Sequence, residues 1–291
     1  QGTSNQVVVT VNPLPVVSTT VCFDTLTTTE AQPFELKGAL PIGGIFSGNG
    51  VTGSTFYPGI AGADTNLIKY TYTNEFGCTD SSFITIVTRA PTPFICGDTL
   101  IDIRDSIQYP TAEINGQCWM AVNLNFGNVI ASAQMQRDNC VNEKYCYNDN
   151  PVNCTSFGGL YQWNEMMYYQ SSTRDQGFCP PGWHIPSETD WNILFAVYIS
   201  SGFAGNALKI TGYSGFDALL TGIRFHNNIW KFPGNDPILR SILFWSSIIH
   251  GQDKAWAHGM NEVVVDIDYT PSVSFYPALR SNSFAIRCLK D

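Results

Sequence analysis

The stretch Cys179-Pro180-Pro181-Gly182-Trp183-His184-Ile185-Pro186-Ser187-Glu188-Thr189-Asp190-Trp191 is a Pro/Gly turn running straight into a helix start. Ser187 with Asp190 three residues on forms a capping box, and Trp191, Leu194, Phe195 and Tyr198 follow at i, i+3, i+4 and i+7. The spacing predicts a helix with one buried face. Near the C-terminus, Phe284-Ala285-Ile286-Arg287-Cys288 reads as a short apolar strand ending in a cysteine. A disulfide from Cys179 to Cys288 would close a loop spanning most of the C-terminal half.

Outward from that stretch, composition sets the compartment. Nine cysteines without an accompanying His pair read as disulfides made outside the reducing cytosol, not as a zinc site. The expected location is therefore extracellular or cell-surface. No apolar run is long enough to span a bilayer, and the start of the chain has no charged n-region or apolar h-region, so a mature or trimmed segment is expected. Charged residues are only 13% of the 291, with a formal net charge of −9, which excludes nucleic acid and anionic membrane surfaces as natural partners. Seven Trp, thirteen Tyr and eighteen Phe can fill a large core and leave rings for recognition surfaces.

Further motifs join the opening stretch: Gly116-Gln117-Cys118-Trp119-Met120 followed by Asn123-Leu124-Asn125, then Tyr145-Cys146-Tyr147-Asn148-Asp149, Gly159-Leu160-Tyr161-Gln162-Trp163, Phe244-Trp245-Ser246-Ser247 and Arg287-Cys288. In this order and spacing they resemble the Fibrobacter succinogenes major paralogous domain, a family of secreted bacterial modules, over roughly residues 96–291. The resemblance implies an α+β fold like that of C-type lectins or formylglycine-generating enzymes. Residues 16–90, with short strands at 34–36, 44–47, 67–72 and 83–87 between Gly/Pro/Asn turns, read as an all-β immunoglobulin-like sandwich. Tyr70-Thr71-Tyr72-Thr73-Asn74-Glu75-Phe76-Gly77-Cys78 is similar to the immunoglobulin-like or PKD-like repeats of Bacteroidetes surface proteins. Such repeats act as spacers.

The expected organisation is thus an N-terminal strand in residues 1–15, the sandwich at 16–90, a stiff proline linker at 91–95 and the lectin-like domain at 96–291. Within the last, helices are expected at 160–170 and after Ser187, strands around the Asn115-Gly116 turn and at 223–225, 229–231, 243–247, 255–257 and 263–267, and a loop-rich stretch at 125–153. Val7, Val8, Val9, Thr10 and Val11 repeat the pattern of residues 82–88, strand then proline exit, and form a strand whose backbone needs a partner. It either packs on the next domain or adds to an open sheet edge of a neighbouring molecule.

The expected cysteine pairs are Cys22 with Cys78 inside the sandwich, Cys96 with Cys118, Cys146 with Cys154 across the tight Asn150-Pro151 loop, and Cys179 with Cys288. Cys140 is left over, as a free thiol, an intermolecular link or a sign that the pairing near Cys118 differs.

Two sharp chemical readings follow from the resemblance. Calcium-dependent sugar binding would draw on Asn148, Asp149 and Asn150, or on Asp266 and Asp268 with Asn261 and Glu262, yet such clusters are foremost turn formers. The Glu-Pro-Asn and Trp-Asn-Asp signatures of sugar-binding lectins are absent. Formylglycine-type catalysis needs two closely placed reactive cysteines, and here the cysteines read as structural. His184 reads as a packing histidine; His226, His250 and His258 fall in separate expected turns without metal-ligand spacing. Trp119, Trp183, Trp191 and Trp245 read as core, Trp230 and Trp256 as the more exposed rings. Thr25, Thr99 and Ser106 sit in Asp-Ser/Thr-aliphatic triplets similar to a Bacteroidetes O-glycosylation acceptor.

The expectation is a secreted or surface-attached, non-enzymatic structural protein that uses no cofactor, self-associating through its N-terminal strand into a filament or surface array. The alternative is an adhesin whose lectin-like loops bind glycan or a surface protein.

Overall fold

A computed structural model describes residues 11–170, 176–199, 207–209, 212–219, 221–231, 241–261 and 273–291. The chain is β-rich and divides into two compact units, one of residues 1–29 with 33–89, the other of residues 30–32 with 90–291.

In the first unit, the strands Leu26–Thr28, Thr79–Arg89, Thr65–Thr73 and Ile45–Ser47 form one sheet in that order, and Phe34–Glu35, Thr55–Phe56 and Val51–Thr52 form another. Alternation decides which side chains go inward: Ile68, Tyr70, Ile84 and Ile86 are buried while Leu67, Lys69, Phe83 and Thr85 point out. Phe34, Leu36 and Phe56 meet the inward set in one core.

The expected Cys22–Cys78 disulfide is absent, and the register explains why. Cys78 sits in the turn between Thr65–Thr73 and Thr79–Arg89, where the Asn74 carboxamide oxygen accepts from the Phe76 and Cys78 N–H groups. Thr19 meets Ser82 through their hydroxyls, and Leu26 pairs with Val87, so the chain through Cys22 runs away from that turn. At about 3.3 Å per residue, Cys22 is carried more than about 10 Å from Cys78, beyond the span of a disulfide. Cys78 is a free thiol, whereas Cys22 and Cys140 are both disulfide-bonded, so Cys140 is not the leftover cysteine.

Of the expected docking strand, Val7, Val8, Val9 and Thr10 lie outside the described residues. Val11 is exposed, and the Asn74 amide donates to the Pro13 carbonyl at 3.1 Å.

The second unit is built on a five-stranded antiparallel sheet ordered Thr99–Ile101, Gln108–Ile114, Gln117–Met120, Leu289–Lys290, Trp183–His184. Asn115 and Gly116, with φ of 54° and 75°, make the tight turn that the Asn-Gly pair predicts. Leu289 pairs with Trp119 on one side and His184 on the other. Further sheets join Tyr161–Gln162, Ser283–Phe284, Ile223–Arg224 and Trp230–Lys231, and, as a meander, Ser241–His250, Lys254–Asn261 and Val273–Leu279. The expected strand at 263–267 lies outside the described residues. Phe94, placed in the linker from sequence, packs edge-on against Trp183 and so belongs to this unit.

The helix Glu188–Ile199 begins on the expected capping box: the Ser187 hydroxyl donates to Asp190 Oδ2 at 2.6 Å, and the Asp190 N–H reaches back to that hydroxyl at 3.4 Å. Trp191, Leu194, Phe195 and Tyr198 are buried, with Trp191 among Trp119, Phe195, Phe216 and Phe244. Burial of Leu194 and Phe195 contributes about 2 kcal/mol each. The helix expected at 160–170 shrinks to the single turn Trp163–Met166, because the Trp163 N–H and indole are drawn to the Arg280 and Ser246 carbonyls. A helix not expected, Pro151–Phe157, starts where Asn150 accepts from the Val152 N–H and Pro151 occupies the first turn.

Candidate functional site

Three described disulfides brace the second unit: Cys96–Cys118, Cys146–Cys154 and Cys179–Cys288, the last with Cα atoms 5.8 Å apart. Around them, the polar side chains in the sequence motifs serve architecture. Arg287 is fully buried, donating to Asn123 Oδ1 at 2.8 Å and 3.1 Å and to the carbonyls of Met120, Phe216 and Asp217, with its guanidinium over the Phe216 ring. Burial lowers its pKa to about 9. His184 lies between Asp291, 2.6 Å from Nδ1, and Asp190, 3.5 Å from Nε2. Burial opposes its charge, but the two carboxylates outweigh it and raise the imidazolium to about 9.

His258 stands in the middle of the strand Lys254–Asn261, not in a turn as expected, because the strand extends well beyond 255–257. There it is buried, stacked on Trp191, with Nε2 3.0 Å from Glu188 Oε1. Trp119, Trp183, Trp191 and Trp245 are core; Trp230 and Trp256 are half-buried, against Tyr147 and His250.

The first calcium cluster is used up locally. Asp149 accepts from the Ser132 N–H and hydroxyl at 2.7 Å and 2.6 Å, Asn150 caps a helix, and Asn148 holds a left-handed turn with φ of 54°. Glu262, Asp266 and Asp268 lie outside the described residues, as does the side chain of Asn261. Among the described residues no three His, Cys, Asp or Glu side chains converge as a metal site. Of the glycosylation candidates, Thr99 and Ser106 are exposed and Thr25 is half-buried.

A feature that sequence reasoning missed is a surface recess of about 490 Å³ beside the parallel pair Asn128–Val129 and Glu143–Lys144. Gly127 brings the two segments together: at φ +95°, a Cβ there would sit 2.8 Å from the Asn142 carbonyl oxygen. Lys144, only 7% exposed, directs its ammonium to the Asn125 carbonyl at 2.6 Å. Burial lowers its pKa to about 8, against the opposing pull of the Asp105 carboxylate. Asp105 itself is raised by partial burial and accepts from the Ile107 N–H. The Asn125 Oδ1 atom is buried without a hydrogen-bond partner among the described residues. In sequence Lys144 sits in an Asn-rich segment that reads as a solvated turn, and nothing signals that residues 143–146 are all buried.

A family model described as the Fibrobacter succinogenes major domain matches residues 112–290. The chain belongs to this family. The Fibrobacter succinogenes major domain thus takes in the Arg287 cage, the Cys179–Cys288 staple and all of the recess except Asp105 and Ile107. No curated protein and no solved structure matches the chain.

Proposed function

We propose that the protein is a secreted or cell-surface, non-enzymatic structural component: an immunoglobulin-like spacer followed by a lectin-like head, assembling through the strand of residues 6–11 on a neighbouring immunoglobulin-like module. The observation that carries the reading is the oxidation of eight of the nine cysteines, which suits an oxidising exterior and leaves those sulfurs no nucleophilic role. No described helix is long and apolar enough to cross a membrane. The charged and titratable groups in the family motifs are spent on packing, Arg287 on carbonyls and His184 on two carboxylates.

Support for strand addition comes from the first unit. Its larger sheet ends in two three-residue strands, Leu26–Thr28 and Ile45–Ser47, and Ile45, Leu67 and Phe83 are exposed on it. Such edges present backbone groups to an alternating strand like Val7 to Val11. Thr99 and Ser106 would carry sugar on their exposed hydroxyls. The test is sedimentation and electron microscopy of the full chain and of a variant lacking residues 1–13. Assemblies that the deletion dissolves support the reading; assemblies that persist unchanged, or a full chain that stays monomeric at high concentration, overturn it.

A further inference from the structure

Beyond a structural role, we propose that the recess around Lys144 binds a neutral, hydroxyl-rich small molecule. Its polar lining mixes donors and acceptors in one place. Among the described residues the Lys144 ammonium has a single hydrogen bond, leaving two N–H donors, and the exposed Asn128 and half-buried Asn142 carboxamides make none. The Lys144 ammonium, buried with donors unmet, costs stability unless something completes it.

Charge narrows the occupant. One ammonium and one carboxylate, Asp105, line the recess, so the local charges cancel. A phosphate or carboxylate would gain Lys144 but meet Asp105 and a chain of net charge −9; a divalent cation would meet Lys144. A hydroxyl group both donates and accepts, so it can take a Lys144 N–H and donate in turn to Asp105 or to the Asn128 or Asn142 carboxamide oxygen. Ile107, Phe126 and Val141 supply the apolar wall that the C–H face of such a molecule needs, and the volume lies in the range of small-ligand sites.

Saturation-transfer NMR on the full chain, with glucose, galactose, mannose and N-acetylglucosamine as probes at millimolar concentration and citrate and phosphate as anionic counterparts, tests this directly. At least one neutral sugar is expected to bind. Asn142→Ala and Asn128→Ala, which remove no hydrogen bond of the fold, should each weaken it about tenfold, the effect of losing one polar contact. Lys144→Met should abolish it. Absence of binding by all four sugars, equal binding by wild type and both asparagine variants, or preference for citrate or phosphate would each overturn the proposal. None of these outcomes depends on assembly.

Discussion

Cys179 and Cys288 are bonded across 109 residues of sequence. Cys179 ends the turn before the strand Trp183–His184, and Cys288 precedes Leu289–Lys290, which pairs with it. The bond therefore anchors adjacent strands whose contact closes a very long loop.

Removing that closure should cost dearly. In the chain-entropy account a loop of this length is worth about 4–5 kcal/mol. The double variant Cys179→Ser/Cys288→Ser is expected to unfold at markedly lower urea concentration, read by tryptophan fluorescence, with the other disulfides intact. An unchanged midpoint would show that the pair is dispensable.

Arg287 should not tolerate its nearest chemical relative. Lysine keeps the charge but lacks the planar fork that reaches Asn123 Oδ1 and three backbone carbonyls at once. Arg287→Lys is expected to lose about 2–4 kcal/mol, since at least one charge-assisted bond goes unmade in a buried site. Chemical denaturation measures it.

The His184 clamp sets a pH dependence with a definite sign. Its folded pKa, about 9, lies above the ordinary 6.5. The stabilisation is therefore complete below about pH 6.5 and is lost as pH rises through about 9, on the order of 2–3 kcal/mol. Asp190 is the mirror case: burial acts against its charge, but His184 and Ser187 hold it down at about 2, so its share is present above its ordinary 3.8 and lost as pH falls towards 2. His184→Gln should flatten the alkaline slope in denaturation series between pH 6 and 10.

Glu165 acts in the same direction as His184 and opposite to Asp190. It is buried, its Oε1 accepts from the Glu143 N–H at 2.8 Å, and burial lifts its pKa to about 8. Because the folded chain holds this proton more tightly than the unfolded one, stability falls as pH rises from the ordinary 4.5 through 8. Glu165→Gln, neutral throughout, should match wild type near pH 4.5 and exceed it at pH 8.

Cys78 gives the simplest check on the cysteine assignment. As the free thiol, half-buried in a turn, it should take up a single alkylating label in the native protein without reductant, located by peptide mass. A label on Cys140 instead would contradict the structure.

Much of the second unit was legible because its signals are local. The capping box at Ser187 and the i, i+3, i+4, i+7 apolar spacing specify a helix within a dozen residues, and Asn115-Gly116 specifies a turn within two. What failed to show depends on distant partners. Trp163 to Met167 carries helical spacing, yet Tyr161, Gln162, Glu165 and Met166 are buried as well, so no solvent face exists for a period to mark. Cys22 and Cys78 have sandwich-like spacing, but strand register, invisible in the letters, keeps them apart. Asn150-Pro151 did carry a helix signal, a cap followed by a first-turn proline, which the loop-like composition masked. The Lys144 recess left no trace, since two successive buried charged residues, Glu143 and Lys144, obey neither a strand nor a helix period.

The placement of Leu289–Lys290 inside the five-stranded sheet, between segments made 170 and 105 residues earlier, governs the order in which this unit can mature. A chain made N-terminus first holds a three-stranded sheet and the lone strand Trp183–His184 with facing unpaired edges until Leu289–Lys290 arrives, so the sheet closes only once that segment has been made.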